Sequence, residues 1–318
     1  MRVLFLLLLA VVGCGPDLTP LGPAPAPSVR YAESLREAGL DSTRLGRAWA
    51  EAEATALDTP VALDLPSGPA LTAEAGAVAA AGWELDLRQG EVLAVEVAPA
   101  LADSARAFVD LFAADSTRER LGGWEVSRDT LRIERRAERD EAVVLLVRAE
   151  LLAEGTVSVA VRTDPSLAFP VAGVDQGAIR SRWGADRDGG ARRHEGIDIF
   201  ADRGTPVVAG LAGRVSRVQE TPIGGRVVWL QTDLGSLYYA HLDRQLVEAG
   251  ARVAVGDTLG EVGNTGNAAT TPPHLHFGIY GRGGAVDPEP FVVGRRPAPR
   301  TARPLDLGAE AGGLRTRR

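Results

Sequence analysis

One cysteine, Cys14, is all this chain has, so no disulfide can form within it. Aromatic residues are scarce at 5%, while glycine is plentiful at 37 residues, a balance that fits a turn-rich, aliphatic β protein. There is no basic excess either. The formal net charge of -7 argues against a general affinity for nucleic acid and implies no polyanion partner. Long hydrophobic runs are missing too: the apolar segment at 3–12 is too short to cross a bilayer as a helix. No repeat recurs at solenoid spacing. Histidine is the last scarcity, with only four in 318 residues, all in the C-terminal half. What remains is ordinary for globular protein: 45% hydrophobic and 24% charged residues, in a length that suggests two domains plus connecting segments.

The N-terminus reads as a secretion signal, residues 1–13, with Arg2 supplying the positive start and 3–12 the apolar stretch. Val11-Val12-Gly13-Cys14 resembles a bacterial lipobox, which implies that the signal is removed and that Cys14 becomes a lipidated N-terminus attached to a membrane. The residue after that cysteine is Gly15 rather than Asp. By resemblance to the lipoprotein sorting rule, this implies an outer-membrane lipoprotein facing the periplasm. Residues 14–30 contain Pro16, Pro20, Pro23, Pro25 and Pro27 and are expected to form an extended tether.

A helix is expected next, because Leu45, Trp49, Ala52 and Ala56 recur at helical spacing after Ser42 and Thr43, either of which can cap it. Between about 60 and 164, short apolar segments at 83–87, 91–97, 108–112, 131–133, 143–147 and 157–161 alternate with turn signals. Together with the helix, these predict a β-sandwich domain over 31–165. It contains no histidine or cysteine, and reads as a spacer or a glycan binder. A second mainly β domain is expected over 166–293, with strand signals at 206–209, 213–218, 226–230, 237–240 and 274–279. Pro297, Pro299 and Pro304 without apolar periodicity predict a flexible tail over 294–318.

All four histidines sit in short segments of that second domain: His194-Glu-Gly-Ile-Asp198, Ala240-His241-Leu242 and His274-Leu-His276. Side chains two apart on a strand leave the same face, so His274 and His276 can point into one cleft. Zinc hydrolases use three protein ligands and leave the fourth position for water. Glu195 adjoins His194, but no second histidine follows at helical spacing, so it reads as solvated or as support for a ligand. Gly263-Asn264-Thr265-Gly266 lacks the lysine of a phosphate loop and reads as a tight turn. Arg182, Arg187, Arg192 and Arg193 precede His194; some can face carboxylates of a peptide, and most read as solvated loop charges. Tyr239 either lines the cleft or packs in a strand.

His-x-x-x-Asp, an isolated histidine and His-x-His in that order resemble the lysostaphin and LytM family of zinc metallopeptidases, which cut peptide bonds in bacterial cell walls. Phe169-Pro-Val, Gly204-Thr-Pro-Val-Val-Ala209, Gly213-Arg-Val, Tyr239-Ala-His241-Leu and Gly263-Asn-Thr-Gly266 follow the family's order, so the likeness covers about 166–293. The resemblance implies a compact β barrel-sandwich hybrid, the duplicated hybrid motif, with a groove over one Zn2+ per chain. It makes His194, Asp198 and His276 the metal ligands, and His241 and His274 unligated catalytic histidines. Peptidoglycan peptides are the implied partners. Two other readings stand beside it. One is a non-catalytic activator of a wall amidase, a kind that typically lacks one or more metal ligands, whereas every ligand is present here. The other is a secreted zinc protease acting on proteins.

Overall fold

The structure, a computed structural model, describes residues 24–74, 76–102 and 105–295. The expected signal and Cys14 therefore lie outside the described residues, as does the tail from 296 onward. Two helices open the described chain, α1 (Pro27–Glu37) and α2 (Arg44–Asp58). α1 begins inside the stretch read as a tether: its proline is at the first turn, where a missing N–H costs nothing. α2 starts where the sequence places it, with Thr43 accepting from the Gly46 N–H. Among the described residues no helix is long and apolar enough to cross a membrane.

Nine strands then build a sandwich. One sheet runs β1 (Val61–Ala62), β3 (Ala80–Leu87), β8 (Glu141–Ala149), β5 (Ala107–Ala113), β6 (Arg120–Val126). The other runs β2 (Ala70–Ala73), β9 (Gly155–Pro165), β4 (Glu91–Leu101), β7 (Leu131–Arg136). Alternation shows which face is which. In β9, Val157, Val159 and Val161 enter the core between the sheets while their neighbours are exposed. In β5 every position from Ala107 to Phe112 is buried, because Val109 and Leu111 face the other sheet while Phe108 packs under Trp49 of α2. The two helices thus cover the outer face of the first sheet.

The second unit is antiparallel. Its main sheet has the order β10 (Ile179–Ser181), β13 (Ile197–Phe200), β21 (His274–Gly281), β17 (Gly235–Leu242), β16 (Gly225–Thr232), β15 (Gly213–Thr221), β19 (Arg252–Val253), with β22 (Gly284–Val286) beside β21. A smaller sheet, β14 (Pro206–Val208), β20 (Thr258–Glu261), β18 (Arg244–Gln245), covers one face of it. Val207 and Leu259 of the small sheet share a core with Ile199, Leu275, Phe277 and Leu230 of the large one. The other face of the large sheet is left open, and the polar residues of β13 and β21 emerge there. β11 (Asp186–Arg187) and β12 (Arg192–Arg193) form a separate short hairpin.

Arg295, at the start of the expected tail, is instead part of the joint between the two units. Its Nε and Nη2 donate to Glu91 at 2.9 and 2.7 Å, and the Arg88 backbone N–H and Nε donate to the same carboxylate at 2.9 and 3.1 Å. Glu91 is buried, and beside it Gly90 (φ +90) lies so close to Phe291 that a Cβ would sit 2.4 Å from the ring. A helix of four residues, α3 (Glu289–Val292), carries that phenylalanine. Burial alone would raise the Glu91 carboxyl, but the bonds from Arg295 and Arg88 outweigh it and hold the group below its ordinary 4.5. A carboxyl depressed in the folded state contributes stability above its unfolded value and loses it as pH falls. Glu91→Gln should therefore lower the unfolding free energy at pH 7 by about 2 kcal/mol. In urea titrations the gap to the unsubstituted protein should close as pH drops below about 4.

Candidate metal centre and groove

The register between β13 and β21 sets Asp198 directly opposite His276 and Phe200 opposite His274. His194 stands just before β13, its Nδ1 2.9 Å from the Arg182 carbonyl and 3.3 Å from Ser181 Oγ. A carbonyl can only accept, so the proton is on Nδ1 and Nε2 offers a lone pair. That Nε2 is 2.9 Å from His276 Nδ1 and 3.0 Å from Asp198 Oδ1, and His276 Nδ1 is 3.0 Å from the same oxygen. Three donors therefore form a triangle with sides near 3 Å. A tetrahedral ion with ligands at 2.0–2.1 Å has its donors about 3.3 Å apart. Two imidazole nitrogens and a carboxylate oxygen are also a donor set that zinc accepts. Together, chemistry and spacing fit a divalent cation held by His194, Asp198 and His276.

The remaining oxygen, Asp198 Oδ2, accepts from Arg187 Nη2 at 2.6 Å, and the same nitrogen donates to Ser181 Oγ at 2.8 Å. Burial by itself would raise the Asp198 carboxyl; the His194 and His276 rings set against it outweigh burial and hold the group well below the usual carboxylate range. Burial lowers His276, against the opposing pull of Asp198.

The other two histidines complete the open face. His274 donates Nδ1–H to the Pro272 carbonyl at 2.9 Å and stacks on Phe200, with ring centroids 4.9 Å apart. His241 donates Nδ1–H to the Thr265 carbonyl at 2.9 Å, and its ring centroid lies 5.0 Å from His274 and 6.0 Å from His276. Each therefore keeps Nε2 for the groove. His241 owes its position to a bulge: between the pairs Arg226↔Leu242 and Val228↔Tyr239, β17 has one residue more than β16. His241 itself takes φ +63, a conformation rare for residues with a Cβ. The turn at 263–266 holds it there. Thr265 Oγ1 accepts from the Arg226 N–H and donates to the Leu242 carbonyl, both at 2.9 Å. The turn approaches so closely that a Cβ on Gly225 would be 2.2 Å from Thr265 Oγ1.

All five residues line one groove of about 1120 Å3. Trp229, Tyr238 and Tyr280 line it as well, on the same face of the sheet as His276. Tyr239 does not: it is fully buried, its hydroxyl accepting from the Gly210 N–H at 3.1 Å, so the packed reading holds and its neighbour Tyr238 is the groove tyrosine. Glu195 is exposed at the rim and is no part of the donor triangle. Sequence reading missed Thr265 as the support of His241 and Ser181 as the bridge between Arg187 and His194. The only signal for Thr265 was its place in a glycine-rich turn, and Ser181 carried none.

With this geometry in view, the comparisons with known proteins bear on the C-terminal unit. Residues 192–288 match Peptidase family M23. The chain carries an M23 peptidase domain. Its homologues are of the lysostaphin and LytM type. The L-Ala–D-Glu endopeptidase of Bacillus subtilis is 36% identical over 139 residues, 39% of this chain and 42% of that protein. YgeR, an uncharacterized lipoprotein of Escherichia coli, is 38% identical over 103 residues, 32% of this chain and 39% of its own length. The catalytic domain of lysostaphin from Staphylococcus simulans is 32% identical, with 35% of this chain and 87% of that domain covered and a TM-score of 0.31. This chain therefore spans less than half the length of the curated relatives it matches.

Burial, and after it the neighbouring His274 and His276, push His241 down to about 4. In the metal-free protein its ring resonances should titrate near pH 4 rather than near 6.5 in NMR spectra, leaving it neutral at pH 5.5.

Proposed function

We propose that this protein is a zinc-dependent endopeptidase that hydrolyses peptide bonds of peptidoglycan, cross-links or stems, from a position in the cell envelope. The observation that carries the reading is the convergence of His194, Asp198 and His276 within about 3 Å of one another, with His241 and His274 in the same groove. The names of its relatives support it, since the Bacillus subtilis protein is an L-Ala–D-Glu endopeptidase and another relative, from Vibrio cholerae, is a peptidoglycan DD-endopeptidase. An activator that had given up catalysis would have no need of a complete donor set.

His194, Asp198 and His276 would hold the zinc. Bound there, it would lower the pKa of a water toward 7 and polarise a peptide carbonyl. His274, fixed through Nδ1 on the Pro272 carbonyl and through Phe200, presents Nε2 to accept a proton and return it to the departing amine. His241 is neutral at the pH of the envelope, and its Nε2 orients the water or stabilises the oxygen that gains charge during attack. Arg187 keeps Asp198 turned so that Oδ1 faces the two imidazoles.

One zinc per chain is expected by mass spectrometry of the intact protein. Its removal by chelation should abolish release of peptides from purified peptidoglycan, and readdition should restore it. His276→Ala and Asp198→Ala should lower cleavage by about three orders of magnitude while circular dichroism is retained. Undiminished cleavage would refute the assignment, and digestion of proteins without digestion of wall would leave a general protease.

Lipidation of Cys14 supplies the anchor in this reading, and Gly15 after it favours the outer membrane. A lipoprotein among the relatives supports attachment of this sort. Incorporation of a fatty-acid analogue should be seen in the intact chain and lost in Cys14→Ala.

A further inference from the structure

The arginines on the groove wall are engaged: Arg187 with Asp198, Arg193 with Asp186, and Arg192 with a partner of its own. Glu195 is different. Among the described residues it is the one carboxylate of the groove wall outside the metal triangle, and no arginine lies within ion-pair distance of it. It is exposed, so a ligand can reach it from the groove.

The loop that leads into β13 sets Glu195 beside an aromatic cluster. A Cβ added to Gly278 would lie 3.0 Å from the Tyr280 ring, 3.2 Å from the Glu195 carbonyl and 3.7 Å from Tyr238 Cβ, so these three residues surround one bare position of β21. Gly278 is two residues past His276 on the same face, about 7 Å away along the strand. Tyr238 stands opposite Gly278 on β17, and Trp229 stands opposite Tyr238 on β16. The rings pack together, with centroids 4.4 Å apart for Trp229 and Tyr238 and 5.2 Å apart for Trp229 and Tyr280. Arg217 covers Trp229, 5.3 Å from its centroid, but it does so from β15, three strands and about 14 Å from β21. Tyr238 and Tyr280 are thus the rings nearest Glu195. Burial, and after it the charge of Glu195, pushes the Tyr280 hydroxyl up to about 12, so at neutral pH the carboxylate stands among uncharged rings.

A carboxylate without a cationic partner, next to aromatic faces whose quadrupole is negative, attracts an ammonium group through both features. An uncharged ring such as a sugar could stack on the tyrosines but would draw nothing from the charge of Glu195. We propose that Glu195, with Tyr238 and Tyr280, forms a subsite for the side-chain ammonium of a substrate residue close to the scissile bond. The inference rests on the wall-peptidase reading and narrows its substrate class to peptides with an amino-bearing side chain at that place. Glu195 therefore acts in specificity and takes no part in holding the metal.

The test uses synthetic stem peptides in matched pairs, with each amine in turn left free or acetylated. With the zinc-loaded full chain, acetylation of the side-chain amine should lower kcat/KM by about fivefold to tenfold, chiefly through KM. In Glu195→Gln that ratio should fall toward one, and in Glu195→Lys it should invert, while zinc content and circular dichroism are unchanged; Tyr280→Leu should diminish it. Indifference to acetylation, a preference that survives in Glu195→Gln, or dependence on the α-amine alone overturns the proposal. Calorimetric titration of the same peptides into zinc-loaded His274→Ala separates the two readings. An ammonium preference in binding, with no peptide cleaved by the unsubstituted enzyme, retires the hydrolase and leaves the subsite standing; equal binding of free and acetylated peptides retires the subsite.

Discussion

The pairing of β13 with β21 is the constraint on which the rest of this molecule depends. Asp198 faces His276 across that ladder, and the loop entering β13 returns His194 to the same point. A slip of one residue would send Asp198 and His276 into the core and bring Ile199 and Leu275 to the surface. The core enforces the register, because Ile197, Ile199, Leu275 and Phe277 are fully buried on the other face. Packing of aliphatic side chains thus fixes the position of polar ones, and no disulfide is needed for it.

Around that point the imidazoles are oriented by backbone carbonyls: Arg182 for His194, Thr265 for His241 and Pro272 for His274. Each bond assigns the proton to Nδ1 and leaves Nε2 for the centre or the groove. His241 pays with a left-handed backbone at a bulge, and Gly225 and the 263–266 turn give it room. Strain of this kind persists where the surroundings over-determine it, and here two hydrogen bonds of Thr265 do so.

Much of this was legible in the sequence, and the reasons for the remainder are physical. Alternation of apolar residues marks strands such as β9, and Thr43 with Trp49 marks α2, because burial on one face leaves a period. The His-x-His pair declares itself since two residues apart on a strand share a face. Contacts between distant segments leave no period. Nothing local tells that Arg187 reaches Asp198, that Ser181 joins them, or that Tyr238 rather than Tyr239 faces the groove, a choice that the bulge in β17 helps to decide. Residue Arg295 read as tail because its neighbours are proline and arginine; its partner, Glu91, is 204 positions away. Helix α1 was hidden by the prolines before it, the last of which is its own first residue.

The joint at Glu91 ties the sandwich to the M23 domain at the end of the chain. Within the second unit, the small sheet packs on one side of the main sheet and leaves the five polar residues on the other. The most direct test is anomalous diffraction at the zinc edge from crystals of the zinc-loaded protein. The account predicts one peak within about 2.2 Å of His194 Nε2, Asp198 Oδ1 and His276 Nδ1. A peak elsewhere, or ligation that omits one of the three, would contradict it.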